Sequence, residues 1–126
     1  MSHIVPIELQ VRNLKALELC LGQFGAELRL NQKQFAEYYG LKPCDAAIHV
    51  NGAKYEIGLK KNADGSYTLL CDFWSSGGLT QKFGQNGDKL KQAYAKQLAV
   101  MYWAAKGYKL QQITKEDGTV VLVATN

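Results

Sequence analysis

A chain of 126 residues with 47% hydrophobic and 21% charged side chains has the size and composition of one globular domain. Such a chain buries about two thirds of its unfolded surface without help from metals or disulfides, and the composition excludes a disordered segment. No apolar run reaches the roughly 18 residues that a membrane-spanning helix needs, and the net charge of +4 is almost all lysine, only Arg12 and Arg29 being arginine.

Lysine is a strongly hydrated point charge that serves solubility as well as phosphate, so charge alone points to no nucleic acid. Residues 1–6 hold no basic region followed by an apolar block, so no signal peptide is expected and the protein reads as soluble and cytoplasmic. The three cysteines, Cys20, Cys44 and Cys71, are odd in number and widely spaced, which fits neither a disulfide framework nor a zinc pattern. They are expected to be small buried thiols, with Cys44, beside Pro43, the one most open to reaction.

In chain order, Val5, Ile7, Leu9 and Val11 alternate with other residues and predict a half-buried strand, which Pro6 places at a sheet edge or makes pair irregularly at its start. Asn13 then caps a helix whose Leu14, Leu17, Leu21 and Phe24 recur at spacings of three and four. Gly25 ends it, and Ala26, Leu28 and Leu30 give a second strand. Residues 31–45 lose their period and hold, at most, a helical turn; Phe35, Tyr38 and Tyr39 stand out there as rings over the sheet edge or as a contact surface.

Asn51-Gly52 between Ala46, Ile48, Val50 and Tyr55, Ile57, Leu59 predicts a tight hairpin of type I′, because both residues accept positive φ. Asp64-Gly65 makes the next turn, and residues 67–74 (Tyr-Thr-Leu-Leu-Cys-Asp-Phe-Trp) read as the central strand of the fold, which completes a meander of three consecutive antiparallel strands. Ser75-Ser76-Gly77-Gly78 and the residues to Asn86 predict a flexible connection, with neither a phosphate-binding nor a dinucleotide glycine pattern. Asn86 or Asp88 caps a long helix to Lys106, with Leu90, Ala93, Tyr94, Leu98, Met101 and Ala105 as its apolar stripe. After Gly107, a strand, the Asp117-Gly118 turn and residues 120–124 complete the chain.

The expected architecture is a single α+β domain over residues 1–126: a largely antiparallel sheet of six or seven strands with two helices packed on one face. Strand, helix, glycine and strand recur in both halves, which suggests pseudo-duplicated units. Two helices leave the second sheet face to be polar or covered by a partner.

Residues 67–74, the helical Lys91-Gln92-Ala93-Tyr94-Ala95, Gly107-Tyr108, the Asp117-Gly118-Thr119 turn and the opening Met1-Ser2-His3 carry a resemblance over nearly the whole chain. The sequence resembles the hypothetical chloroplast reading frame thirty-five family, small uncharacterised proteins of plastid and cyanobacterial genomes with relatives in other bacteria and in phages. It departs from that pattern after Trp74, where Ser75-Ser76-Gly77-Gly78 replaces a shorter connection. The resemblance implies a small soluble protein and brings no catalytic residues. Some bacterial relatives are encoded near ring-forming ATPases, which implies an accessory role in a larger assembly.

Asp72 is the acid most committed to apolar neighbours, though strand alternation turns it away from Cys71 and Phe73 and so toward water. His3 and His49 are too few for a histidine metal cluster, and His49 is expected at the surface; no metal and no cofactor are expected. Ser75-Ser76 has no flanking pattern of a nucleophile, so catalysis is not expected, and an enzyme reading would centre on Asp72 and the loop after Trp74. The reading is a non-catalytic protein-binding or adaptor module. Its candidate contact residues are Phe35, Tyr38, Tyr39, Asp72 and Trp74, and its partner is another protein or a second copy of the chain. The alternative is single-stranded nucleic acid on a platform of Lys54, Tyr55, Lys60, Lys61 and Tyr67, where bases stack and ammonium groups track phosphates. No membrane partner is expected.

Overall fold

The computed structural model describes residues 4–74 and 77–125; the expectations resting on Met1-Ser2-His3 and on Ser75-Ser76 lie outside them. Strand β1 (Ile4–Val11) buries Ile7 and Val11 and half-buries Val5 and Leu9. Its pairing shifts between Ile7 and Gln10. As Pro6 predicts, β1 is an edge strand, since proline has no N–H to give a second neighbour. Helix α1 (Leu14–Leu21) starts where the Asn13 side chain accepts the Ala16 N–H at 3.0 Å, the cap that satisfies one of the first orphan amides. It buries Ala16, Leu17, Cys20 and Leu21. A short 3₁₀ turn carries the chain to Gly25, whose φ of +65° reverses the chain at little steric cost.

Strand β2 (Ala26–Arg29) is followed by β3 (Gln34–Glu37) and β4 (Gly40–Pro43), then by β5 (Ala46–Val50), β6 (Ile57–Lys61) and β7 (Tyr67–Asp72). Helix α2 (Leu79–Phe83) and helix α3 (Asp88–Ala105) precede β8 (Lys109–Thr114) and β9 (Val120–Thr125). The main sheet is antiparallel with strand order β1-β7-β6-β5-β2. The fold is therefore α+β, but the sheet has five strands. The other four described strands form two hairpins, β3–β4 and β8–β9. The middle strand is β6; β7 lies one place in from the edge. Strand β2, after α1, joins the main sheet, whereas β8, after α3, pairs only with β9, so the resemblance between the halves stops at the helices.

Both long helices lie on one face of the sheet. There Ile7, Val11, Ile48, Ile57, Leu59, Leu69 and Cys71 meet Leu17, Leu21, Leu79, Phe83, Leu90 and Tyr94 in one buried cluster, each large side chain contributing about 1.5–3 kcal/mol by leaving water. The Tyr94 hydroxyl accepts the N–H groups of Arg12 and Asn13, each at 3.2 Å, which ties α3 to the entry of α1. The residues after Gly78 are helical rather than loose because Leu79 and Phe83, one turn apart, are both fully buried. Helix α3 is entered through Gly87, with no side-chain cap from Asn86 or Asp88. No helix of the described residues is long and apolar enough to cross a membrane.

The middle of the sheet's second face is covered by the chain itself, while Glu27, Arg29 and Lys60 leave its outer parts polar and exposed. Residues 31–45 form no helical turn but the β3–β4 hairpin, which lies across that middle. Phe35 is buried with its ring against Gly58, where a Cβ would stand 2.4 Å from two ring carbons. Asn51-Gly52 also differs from expectation. Ala53 N–H still donates to the Val50 carbonyl at 3.2 Å, but only Gly52 has positive φ, +81°, so the turn is not type I′. Strands β5 and β6 pair only as far as Ile48 and Ile57. The intervening residues are drawn elsewhere: the Gly77 carbonyl accepts the N–H groups of Lys54 and Tyr55 at 2.9 and 3.2 Å. The Tyr55 ring covers Gly77, where a Cβ would fall 1.9 Å from a ring carbon. Gly77 is thus a packing site and no spacer.

Candidate functional site

At one end of the second face, the turn after β3 meets the end of β7. Asp72 does point to that face, as alternation requires, but the hairpin above it shuts out water and its side chain is fully buried. Its Oδ1 accepts the Trp74 N–H at 3.0 Å, and its Oδ2 the Tyr38 N–H at 3.3 Å. The carboxylate therefore works as a clamp. One oxygen closes a local turn two residues on, and the other holds the tip of the hairpin.

Above the clamp stand three rings. Tyr38 and Tyr39 meet edge to face, centroids 4.9 Å apart at 84°, and Tyr38 meets Trp74 at 6.4 Å and 74°. Side chains of this size usually go inside, yet Tyr38 is 52%, Tyr39 65% and Trp74 41% exposed. The arrangement is a polar-backed aromatic patch, the composition found at the centre of protein interfaces. Four of the five candidate contact residues are thus brought together. Phe35 is not among them: it is core, packed on Gly58, and presents nothing to a partner.

Two acids beside the patch escaped the sequence reading. Glu37, next to Tyr38, is buried, and its Oε1 has no hydrogen-bond partner among the described residues. Glu56 receives three donors: Gln32 Nε2 at 2.9 Å, Ala36 N–H at 3.0 Å and His49 Nδ1 at 3.1 Å. Burial opposes its charge, but the hydrogen bonds from Gln32, Ala36 and His49 outweigh it and hold the carboxyl below its ordinary range. His49 is accordingly half-buried and paired instead of free at the surface. A lone glutamate after a turn carries no sequence signal for such a role.

The lysine and tyrosine platform does not assemble. Lys54, Lys60 and Lys61 are exposed, but Tyr55 is buried on Gly77 and Tyr67 is half-buried. Lys60 and Lys61 are consecutive in β6, so they leave on opposite faces. No group of three or more histidine, cysteine, aspartate or glutamate side chains among the described residues is placed to hold a metal ion.

Burial raises the Cys20 thiol to about 11 and pushes Cys71 up further; Cys44 is raised by burial and then by the charges of Asp45 and Glu56. None is activated. Iodoacetamide at about pH 8 is expected to alkylate half-exposed Cys44 slowly and to leave Cys20 and Cys71 intact until denaturant is added. Peptide mass mapping checks this, and rapid labelling of Cys71 in the native protein would contradict the packing described.

A family model described as "Protein of unknown function (DUF1257)" matches residues 20–123, most of the chain, and the chain belongs to that family. No curated protein and no solved structure gave a match.

Proposed function

For this member of the DUF1257 family we propose the role of a non-catalytic adaptor that docks another protein through Tyr38, Tyr39 and Trp74. The observation that carries the reading is the placing of three exposed, mutually packed rings directly over the fully buried Asp72, which takes the backbone N–H of both Tyr38 and Trp74. Rings anchored in this way lose little conformational freedom on binding, which is what makes Trp and Tyr effective anchors. The likeness to the hypothetical chloroplast reading frame thirty-five family belongs to the same proposal. With it go a cytoplasmic setting, a source of cyanobacterial or phage type, and an accessory place in a larger assembly such as a ring-forming ATPase.

The test is affinity capture from native cell extract followed by quantitative mass spectrometry, with a Tyr39→Ala, Trp74→Ala double variant as the comparison bait. A stoichiometric partner held by the wild type should fall by about tenfold or more, because anchors of this kind are each worth about 2 kcal/mol. Recovery of no stoichiometric partner, or equal recovery by both baits, removes the proposal. Sedimentation of the purified chain tells whether the partner is a second copy.

A further inference from the structure

Between Asp88 and Glu116 the sequence contains six lysines (Lys89, Lys91, Lys96, Lys106, Lys109 and Lys115) and no acidic residue. This span is α3 and β8, on the helical side of the sheet and so away from the aromatic patch over Asp72. Its second half is poorly covered: Tyr102 is 57% exposed, Leu98 is exposed, and Trp103 and Tyr108 are half-exposed. The rings of Tyr102, Trp103 and Tyr108 form an edge-to-face series at 5.2 and 5.5 Å, with the Lys106 ammonium 5.1 Å from the Tyr102 centroid.

Beside it the β8–β9 hairpin turns back along α3 and leaves a groove of about 360 Å³, whose lining includes Lys89, Gln92, Lys96, Gln112, Gln23 and Phe24. Positions 89, 96 and 103 are two helical turns apart in succession, so the lysines of the groove and Trp103 share one stripe about 21 Å long. Gln92 and Gln112 line the groove with the lysines, beside Ala93 and Val120, and the rings of Tyr102, Trp103 and Tyr108 lie beyond it. Amides that hydrogen-bond to bases, rings on which bases stack and ammonium groups that meet phosphates favour single-stranded nucleic acid over an acidic protein segment, which has no base to stack.

We propose that the groove between α3 and the β8–β9 hairpin, from Lys89 to Trp103 and Tyr108, binds single-stranded nucleic acid. This surface is separate from the adaptor patch and does not depend on it. The proposal places stacking on Trp103, with Tyr108 as its support, phosphate contacts on Lys89, Lys96 and Lys109, and base or sugar hydrogen bonds on Gln92 and Gln112.

Fluorescence anisotropy with the full chain and a labelled oligouridine of about twenty nucleotides tests it. Binding is expected at about 50 mM salt, weakening with a log–log slope of about −2, as three phosphate contacts give at roughly 0.7 each. Lys89→Glu with Lys96→Glu, both exposed and off the core, should weaken binding about tenfold or more without changing the melting temperature. Trp103→Leu should weaken it about tenfold through lost stacking. The Tyr39→Ala, Trp74→Ala protein should bind as well as the wild type, which separates this surface from the adaptor reading. No binding at about 50 mM salt overturns the proposal, as does a loss that follows Lys60→Glu with Lys61→Glu and spares the groove variant. Equal competition by polyglutamate would assign the groove to an acidic protein instead.

Discussion

Gly58→Val is expected to destabilise the protein by about 3 kcal/mol, lowering the melting temperature by roughly 10 °C, and to lift the β3–β4 hairpin from the sheet. The Phe35 ring lies where the new side chain must go, with a Cβ already 2.4 Å from two of its carbons. Phe35 is fully enclosed, so the ring cannot swing aside into water and the hairpin has to move with it. Phe35→Ala removes the ring and should cost about 3–5 kcal/mol through lost transfer energy and the cavity left behind. The informative measurement is the double variant. A valine at position 58 occupies part of the space the ring vacates, so Gly58→Val in the Phe35→Ala background should cost much less than in the wild type. Additive losses in urea melts would show that the two residues do not oppose each other across this seam.

Glu56→Ala should cost about 3 kcal/mol, because it leaves the Ala36 N–H beneath the hairpin without an acceptor, unpairs His49 and leaves the Gln32 amide only its bond to the Gln34 carbonyl. Glu56→Gln keeps an acceptor oxygen and should cost less. The same group sets part of the acid limit of stability. Its carboxyl titrates lower in the folded chain than in the unfolded one, so the unfolded state takes up the proton first as pH falls. The contribution of the charged form is therefore full above the ordinary carboxylate range, near about pH 4–5, and is lost as pH falls through the lowered folded value. Stability measured by urea unfolding across that window should drop more steeply for the wild type than for Glu56→Gln. Parallel curves would show that the Glu56 charge contributes nothing to holding the hairpin.

Much of the fold was legible because local chemistry and tertiary context agree. Asn13 caps α1, Leu17 and Leu21 recur on its buried stripe, Gly25 and Gly107 stand at positive φ where helices end, and Pro6 keeps β1 at an edge. The failures are places where a distant partner decides. Gln34 to Glu37 alternates well enough for a strand, but its inward residues are Phe35 and Glu37, and a buried acid breaks the polarity code on which periodicity depends. Asn51-Gly52 carries a strong hairpin signal, yet Lys54 and Tyr55 bond to Gly77 and Glu56 to Ala36 rather than to β5. Tyr38, Tyr39, Asp72 and Trp74 were each conspicuous as residues. Their meeting depends on the hairpin folding back over β7, which no local signal encodes.

The pairing of β1 with β7 sets the order in which the molecule can be completed. Ile7 finds its register opposite Leu69, so during synthesis β1 must wait for β7, about sixty residues later, before it can pair. The adjacent β5–β6–β7 meander can form as soon as it appears, whereas α1 lacks its helical neighbour until α3 is made. Until β7 is made, Val5, Ile7 and Val11 have no sheet to cover them in the nascent chain.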